Sequence, residues 1–396
     1  MRRSSLVVLY LTVFIDLLGF GIILPLLPYY AEHFGATGVW VGVLLSAYSL
    51  AQFLGAPVLG RLSDRFGRRP LLLLSLAGSA ISLAVSGLAG SLATLVTARA
   101  IAGLFGGSIS TAQAYIADWT TPSNRARYMG LLGASIGLGF IFGPALGSGL
   151  SRFGFGTAAF VSAGLAAANL VFAAFKLEES RPPEGGRRAR PGLAGFVRAL
   201  RNPTIGRVMA IMFLSAIAFV SMEATFALLG ERRFGIDSSR LGFVFTYLGV
   251  IVVLVQGGLV GRLTAKVGER TLAIAGSLLM AAALAALPLA PGLAAALVAL
   301  GLLAVGQALV VPTVTTLLSN ATSADQQGGT LGLGTSMGAA ARATGPILAG
   351  WLFDRADVLP YFMGAGALVS CALLLATLKA GEERLAPARA AKAVET

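Results

Sequence analysis

Charge is scarce in this chain. Only 12% of its 396 residues are Asp, Glu, Lys or Arg, while 56% are hydrophobic. A soluble domain carries roughly 25% charged residues, so most of this surface does not face water. Cysteine is nearly absent. The single Cys371 lies in an apolar run, which excludes an intrachain disulfide and a cysteine metal cluster. Histidine is equally rare, with His33 alone, so histidine triads and metal sites have no material. Neither a metal site, a cofactor nor an enzymatic reaction is expected.

The charge that is present is lopsided, with 30 basic against 17 acidic residues and a net charge of +13. Such an excess can signal nucleic acid. Here the Lys and Arg residues sit in short loops between apolar runs, a membrane-topology signal, and no nucleic-acid partner is expected. A cleavable signal peptide is not expected either. The first apolar run is too long, no small-residue cleavage site follows it, and further runs come after.

What the chain has in abundance is apolar length. A spanning helix needs about 20 apolar residues, and twelve such runs are found. They lie near 6–28, 39–60, 71–89, 93–117, 127–149, 155–176, 204–229, 240–261, 271–289, 293–318, 328–352 and 358–378. With the N-terminus in the cytoplasm, 23 basic residues fall on the cytoplasmic side, five on the other, and two, Arg99 and Arg342, inside spans. That split places both termini inside. Residues 177–203 are rich in Pro, Gly, Glu and Arg and separate six spans from six. They read as a flexible cytoplasmic tether with an amphipathic patch at 193–201, or as a regulatory loop.

The two halves repeat each other. Gly60-Arg-Leu-Ser-Asp64-Arg65-Phe-Gly67-Arg68-Arg69 returns 201 residues later as Gly261-Arg-Leu-Thr-Ala265-Lys-Val-Gly268-Glu-Arg270. Gly139 to Gly147 in span five returns as Gly345-Pro346-Ile-Leu-Ala-Gly350 in span eleven. In-phase repeats of this kind point to a transporter with its substrate site between the halves, near mid-membrane. The expected fold is an all-α integral membrane protein of twelve transmembrane helices in two pseudo-symmetric six-helix bundles. Residues 1–176 form the first bundle, 177–203 the linker, and 204–396 the second bundle with a short cytoplasmic tail.

Charged residues within spans are expensive, which makes each a functional candidate. Asp16 lies near the middle of span one. A carboxyl there that takes a proton from one side and releases it to the other would supply proton coupling; otherwise it caps a neighbouring helix. Glu223 in span seven is a second proton site, a counter-charge for a cationic substrate, or a plain ion-pair partner. Arg342 in span eleven lies at a comparable depth and is expected to pair with Glu223, as a lock or a switch. Tyr48, Gln52, Gln113, Asn169, Gln256 and Gln307 are candidates to line the cavity, or to make interhelical hydrogen bonds. In the hairpin, Gly60 and Gly67 are expected to turn the backbone, Asp64 to accept from helix amides or an arginine, and Arg65, Arg68 and Arg69 to anchor the inner face. Gly139, Gly143, Pro144 and Gly147 combine small residues at four-residue spacing with a helix breaker, and are expected to pack closely against a helix of the other half.

Taken together, these segments resemble the major facilitator superfamily, and more narrowly its twelve-span drug/proton antiporters, which include the tetracycline-efflux proteins. The resemblance covers essentially the whole chain. It rests on Phe14 to Pro28, on Tyr48 to Pro70, on Leu95 to Gly107 with Arg99 and Gly103, on Ala114 to Asp118 with Arg125 and Arg127, and on Gly139 to Gly147, where Ser148 replaces a usual final glycine. It implies a proton-coupled exporter of amphiphilic small molecules working by alternating access in the inner membrane as a monomer, with protons and lipid as its other partners. Lipid or glycolipid flipping, or sugar or metabolite export, remain alternatives on the same frame. The resemblance further implies that Arg99 aids proton exchange, with Asp16 as its natural partner. It implies too that Asp64 bonds across to the second half to hold an inner gate, which Asp118 and Arg127 could join. The chain departs from tetracycline-efflux proteins in having Ile251 to Gln256 where several carry a histidine, and in the charges of Glu223 and Arg342.

Overall fold

The computed structural model describes residues 3–180, 202–322 and 327–378, and every described regular element is helical. The amphipathic patch expected at 193–201 and the tail lie outside the described residues. Span one comprises α1 (Arg3–Ile23), a short 3-10 turn (Leu24–Leu26) and α2 (Leu27–His33). Pro25 and Pro28 account for the interruption, since a proline cannot supply its amide to the ladder. There follow α3 (Gly38–Phe66), α4 (Arg68–Gly87), α5 (Leu92–Leu104), α6 (Ser108–Trp119), α7 (Pro122–Ser151) and α8 (Phe155–Lys176). After the linker come α9 (Pro203–Phe234), α10 (Ser238–Gly258), α11 (Val260–Val267), α12 (Glu269–Ala286), α13 (Leu293–Asn320), α14 (Gln327–Arg355) and α15 (Leu359–Ala376).

Eleven helical stretches are long and apolar enough to cross a membrane. The twelfth expected span is α14. At 29 residues it is long enough, but its glycines, its Ser and Thr residues and Arg342 dilute its hydropathy. Large apolar side chains stand exposed along the helices, among them Phe175 at 82% and Leu54 at 67%. Exposed apolar surface on this scale suits lipid rather than water.

Contacts divide the chain into two compact units. One holds Met1–Arg187 and Gly230–Gly249, the other Arg188–Leu229 and Val250–Thr396. In the first unit α1 packs on α7 and α8, α3 on α5, and α4 on α8. In the second, α12 packs on α13 and α15.

The repeated hairpin turns on the same glycine in both copies, although the helix before it is continuous in the first and broken at Leu259 in the second. Gly60 lies inside α3, which runs on to Phe66, so the turn expected at Gly60 is absent and falls entirely on Gly67. Gly67 has φ 101° and Gly268 has φ 78°, a region where side chains are strained. Their amides close the preceding helices onto Ser63 O and Thr264 O. The arginines that follow also behave alike. Arg69 donates to Ala174 O at the end of α8, and Arg270 donates to Ala376 O and Leu375 O at the end of α15. Each guanidinium satisfies carbonyls that a helix end leaves free. Both side chains are therefore structural caps.

Candidate functional site

Span four is interrupted. Residues 105–107 leave the helix between α5 and α6, where Gly106 and Gly107 offer poor helix propensity. The freed Gly106 carbonyl accepts from Gln52 Nε2 at 2.7 Å, and the same nitrogen lies 3.3 Å from Tyr48 Oη. Gln52, expected to line a cavity, thus has a backbone partner that the break creates.

The break presents the start of α6 to Asp16. Ser108 Oγ donates to Asp16 Oδ2 at 2.6 Å, and Ser79 supplies a second hydroxyl. The half-buried carboxylate therefore faces the positive end of a half-helix inside a span. Arg99 is not its ion-pair partner: among the described residues no carboxylate lies within 4 Å of the guanidinium. Arg99 is 4% exposed, its guanidinium carbon lies 5.1 Å from the Phe20 ring and 4.7 Å from the Tyr48 ring, and its Nε has no partner. Phe20 in turn meets Phe140 edge-on at 6.2 Å.

Glu223 and Arg342 also fall short of a direct pair. Glu223 feels the charge of Arg342, but no contact within 4 Å joins them. Glu223 is half-buried and Arg342 exposed. Of the remaining cavity candidates, Asn169 is buried. It is 1% exposed and ties α8 to α1 by donating to Thr12 O at 2.8 Å. Gln113 and Gln256 are exposed, and Gln307 is half-buried with Oε1 unpartnered.

The hairpin builds a second cluster. Arg68, expected to be a surface anchor, is 6% exposed. Its Nη1 lies 2.7 Å from Asp64 Oδ1 and 3.0 Å from Ser63 Oγ, and its Nε lies 2.9 Å from Asp118 Oδ2. Asp64 and Asp118 thus share one buried cation within the first unit. Arg127 is exposed and stands apart, whereas Arg125 donates to the carbonyls of Ala117 and Thr120 at the end of α6. Two residues apart on a helix, the two arginines point to opposite sides. Arg65 packs over Phe66, with 5.2 Å from its guanidinium carbon to the ring centre.

Glu179 completes this cluster from a place that composition reads as tether. Its carboxylate accepts the amides of Arg68 at 2.8 Å and Arg69 at 3.1 Å, capping α4. The carboxylate occupies the space where a side chain at Gly67 would begin. Ser5 donates to Glu178, Tyr115 donates to its carbonyl, and Leu177 is buried beside Leu9, Leu72 and Tyr115. Residues 177–180 are accordingly a fixed strap.

The glycine face of α7, expected to pack on a helix of the second bundle, packs on α1 instead, and of that motif Pro144 reaches α10, where its carbonyl lies against Gly242. A methyl group at Gly139 would lie 2.6 Å from Leu17 Cβ, and one at Gly143 would lie 2.7 Å from Gly21 Cα, while Gly147 abuts Ile22. A different face of α7 meets the start of α10. There Ser148, fully buried, accepts from Gly242 N at 2.9 Å and donates to Ser238 O at 3.3 Å. Thr246 adds a bond to Ile141 O at 2.9 Å. Nearby, Glu32 at the end of α2 hydrogen-bonds to Glu231 at the end of α9, with Arg232 close by.

A polytopic helical bundle with an interrupted span, intramembrane charges and duplicated hairpins defines a membrane transporter. The chain belongs to the Major Facilitator Superfamily, whose family model matches residues 9–292 and 232–395. It is 32% identical to the class C tetracycline resistance protein of Escherichia coli over 381 residues, covering 93% of this chain and 96% of that protein. It is 28% identical to multidrug resistance protein 2 of Bacillus subtilis, covering 93% of each. Among solved structures, the human organic anion transporter MFSD10 (TETRAN) matches with a TM-score of 0.72 at 28% identity, covering 94% of this chain and 99% of that one. A bacterial homologue of the lysosomal transporter Spinster, inward-facing and occupied, matches 98% of this chain and 100% of that one with a TM-score of 0.81 at 15% identity, a likeness of fold alone. The protein is a multi-pass membrane transporter homologous to tetracycline and multidrug efflux proteins, and not an enzyme.

Proposed function

We propose that the protein is a proton-coupled exporter of amphiphilic small molecules, exchanging inward protons for outward substrate by alternating access. The observation that carries this reading is Asp16. It is a carboxyl inside a span, held by the hydroxyls of Ser108 and Ser79 and not by a cation. Hydroxyl partners serve a protonated or an ionised carboxyl, because each can donate or accept. A fixed arginine contact would instead hold the group ionised. Asp16 is therefore free to load and unload a proton while its neighbours stay in place. Protonation then biases the inward- and outward-open forms by its differential effect on the two.

The tetracycline and multidrug resistance relatives support efflux as the direction and small molecules as the cargo. The excess of Lys and Arg on one set of loops supports insertion in the inner membrane with both termini in the cytoplasm. In that orientation the Arg68 cluster lies on the cytoplasmic side and acts as part of the inner gate. Glu223 and Arg342, which interact without touching, are a second charge pair whose spacing the transport cycle alters.

Inverted membrane vesicles preloaded with protons test the reading. Addition of a panel of anionic, zwitterionic and cationic dyes, fluorescein, tetracycline and ethidium, should release protons for at least one of them from vesicles carrying the wild-type protein and not from those carrying Asp16→Asn at equal abundance. Proton release by Asp16→Asn equal to that of the wild type would overturn it.

A further inference from the structure

Arg99 is a buried cation that the protein itself does not answer. It is 4% exposed. No described residue accepts a hydrogen bond from its guanidinium, and none places a carboxylate within 4 Å. Asp16, the partner expected from its depth in span one, is bonded to Ser108 and Ser79 instead. What does hold Arg99 is aromatic. Its guanidinium carbon lies 5.1 Å from the ring of Phe20 on α1 and 4.7 Å from that of Tyr48 on α3.

Contacts of this kind draw on the positive charge and the flat face of the guanidinium. They leave its N–H fork unspent, and that fork is the part that matches a carboxylate, sulfonate or phosphate two bonds at a time. A charge buried without a counter-ion is costly inside a membrane. A transporter can retain one where the counter-ion arrives with the cargo. Phe140, exposed and edge-on to Phe20 at 6.2 Å, adds a third ring to the cluster. The cluster thus offers a cationic fork beside aromatic rings, all within the first unit.

We propose that Arg99 seats an anionic group of the transported molecule, with Phe20, Tyr48 and Phe140 receiving its aromatic body, so that the cargo class is amphiphilic organic anions. The inference rests on the export reading above and narrows it. It assigns Arg99 to cargo recognition in place of the proton-exchange role that the family resemblance implies. A cationic cargo would meet repulsion at this seat.

Equilibrium binding tests the seat without requiring transport. Fluorescein, an anion, and rhodamine 123, a cation on the same xanthene ring, are titrated by fluorescence anisotropy at pH 8 into purified full-length protein in lipid nanodiscs. Wild-type protein should bind fluorescein at least tenfold more tightly than rhodamine 123. Arg99→Gln should lose at least tenfold in fluorescein affinity and change by less than twofold toward rhodamine 123. Arg99→Lys, which keeps the charge and loses the fork, should fall between. Equal wild-type affinity for the two dyes, or an unchanged fluorescein affinity in Arg99→Gln, would overturn the proposal. If Arg99→Gln does not elute as a folded monodisperse species, Arg99→Lys decides, and fluorescein binding equal to wild type refutes the fork. Failure of the export reading is visible separately, as wild-type vesicles that move no protons when dye is added, whatever the dyes' affinities.

Discussion

Arg68 Nε donates to Asp118 Oδ2 at 2.9 Å, joining the start of α4 to the end of α6. The same guanidinium holds Asp64 at 2.7 Å, so one buried cation answers two carboxylates. Removing the cation weighs most on Asp118, whose side chain is 12% exposed, and less on Asp64, at 39%. Arg68→Met should destabilise the protein by about 3–5 kcal/mol, the usual cost of breaking a buried pair from one side. The triple variant Arg68→Met/Asp64→Asn/Asp118→Asn should recover part of that loss. Thermal unfolding in nanodiscs measures both, and additive losses would contradict a shared network.

Glu179 caps α4 through the amides of Arg68 and Arg69. Glu179→Ala should cost about 1 kcal/mol, as loss of a helix cap does, and Glu179→Gln less. Gly67→Ala should cost more than Glu179→Ala. It meets a positive φ and displaces the carboxylate at once. A reversed order of melting temperatures would count against the cap.

Gly143 lets α7 touch α1 at Gly21. Gly143→Val should force the helices apart at a cost of about 1–3 kcal/mol, whereas Gly149→Val, where an added methyl meets nothing, should be nearly neutral. Melting temperatures of the pair, compared with dye efflux in vesicles, read out the difference.

Composition and repeat spacing made the helices, the hairpin turn at Gly67 and the small-residue face of α7 legible. Their partners were not. Four-residue spacing reveals that Gly139, Gly143 and Gly147 share a face, but any helix could fill it, and α1 does so. The polar composition of 177–203 conceals Glu179, whose cap exists only because the chain folds back across α4. Asn169 and Gln52 advertise hydrogen bonding without revealing that backbone carbonyls receive it. Arg125 and Arg127 are indistinguishable by type and differ only in the side of α7 they occupy. The setting of Arg99 draws on three separate helices, and no local pattern encodes it.

The bond between Glu32 and Glu231 makes a test of acidity. Two carboxyl groups hydrogen-bond only when one of them carries a proton, so the contact should be intact in acid and lost in alkali. Spin labels on α2 and on the end of α9, in a background lacking Cys371, should move apart between pH 5 and pH 9. Glu32→Gln bonds without a proton and should hold the labels at a constant separation. Equal movement in both proteins would exclude the pair as its cause.

The gap in span four also has an isotopic consequence. The amides of Ser108, Ile109 and Ser110 open α6, and the first helical bond belongs to Thr111, which donates to the carbonyl of Gly107. Deep in the bilayer, where backbone protons ordinarily survive longest, this stretch offers deuterium a foothold. Its exchange rate should report directly whether water has reached the carboxylate of Asp16, making the broken helix a built-in gauge of hydration during the cycle.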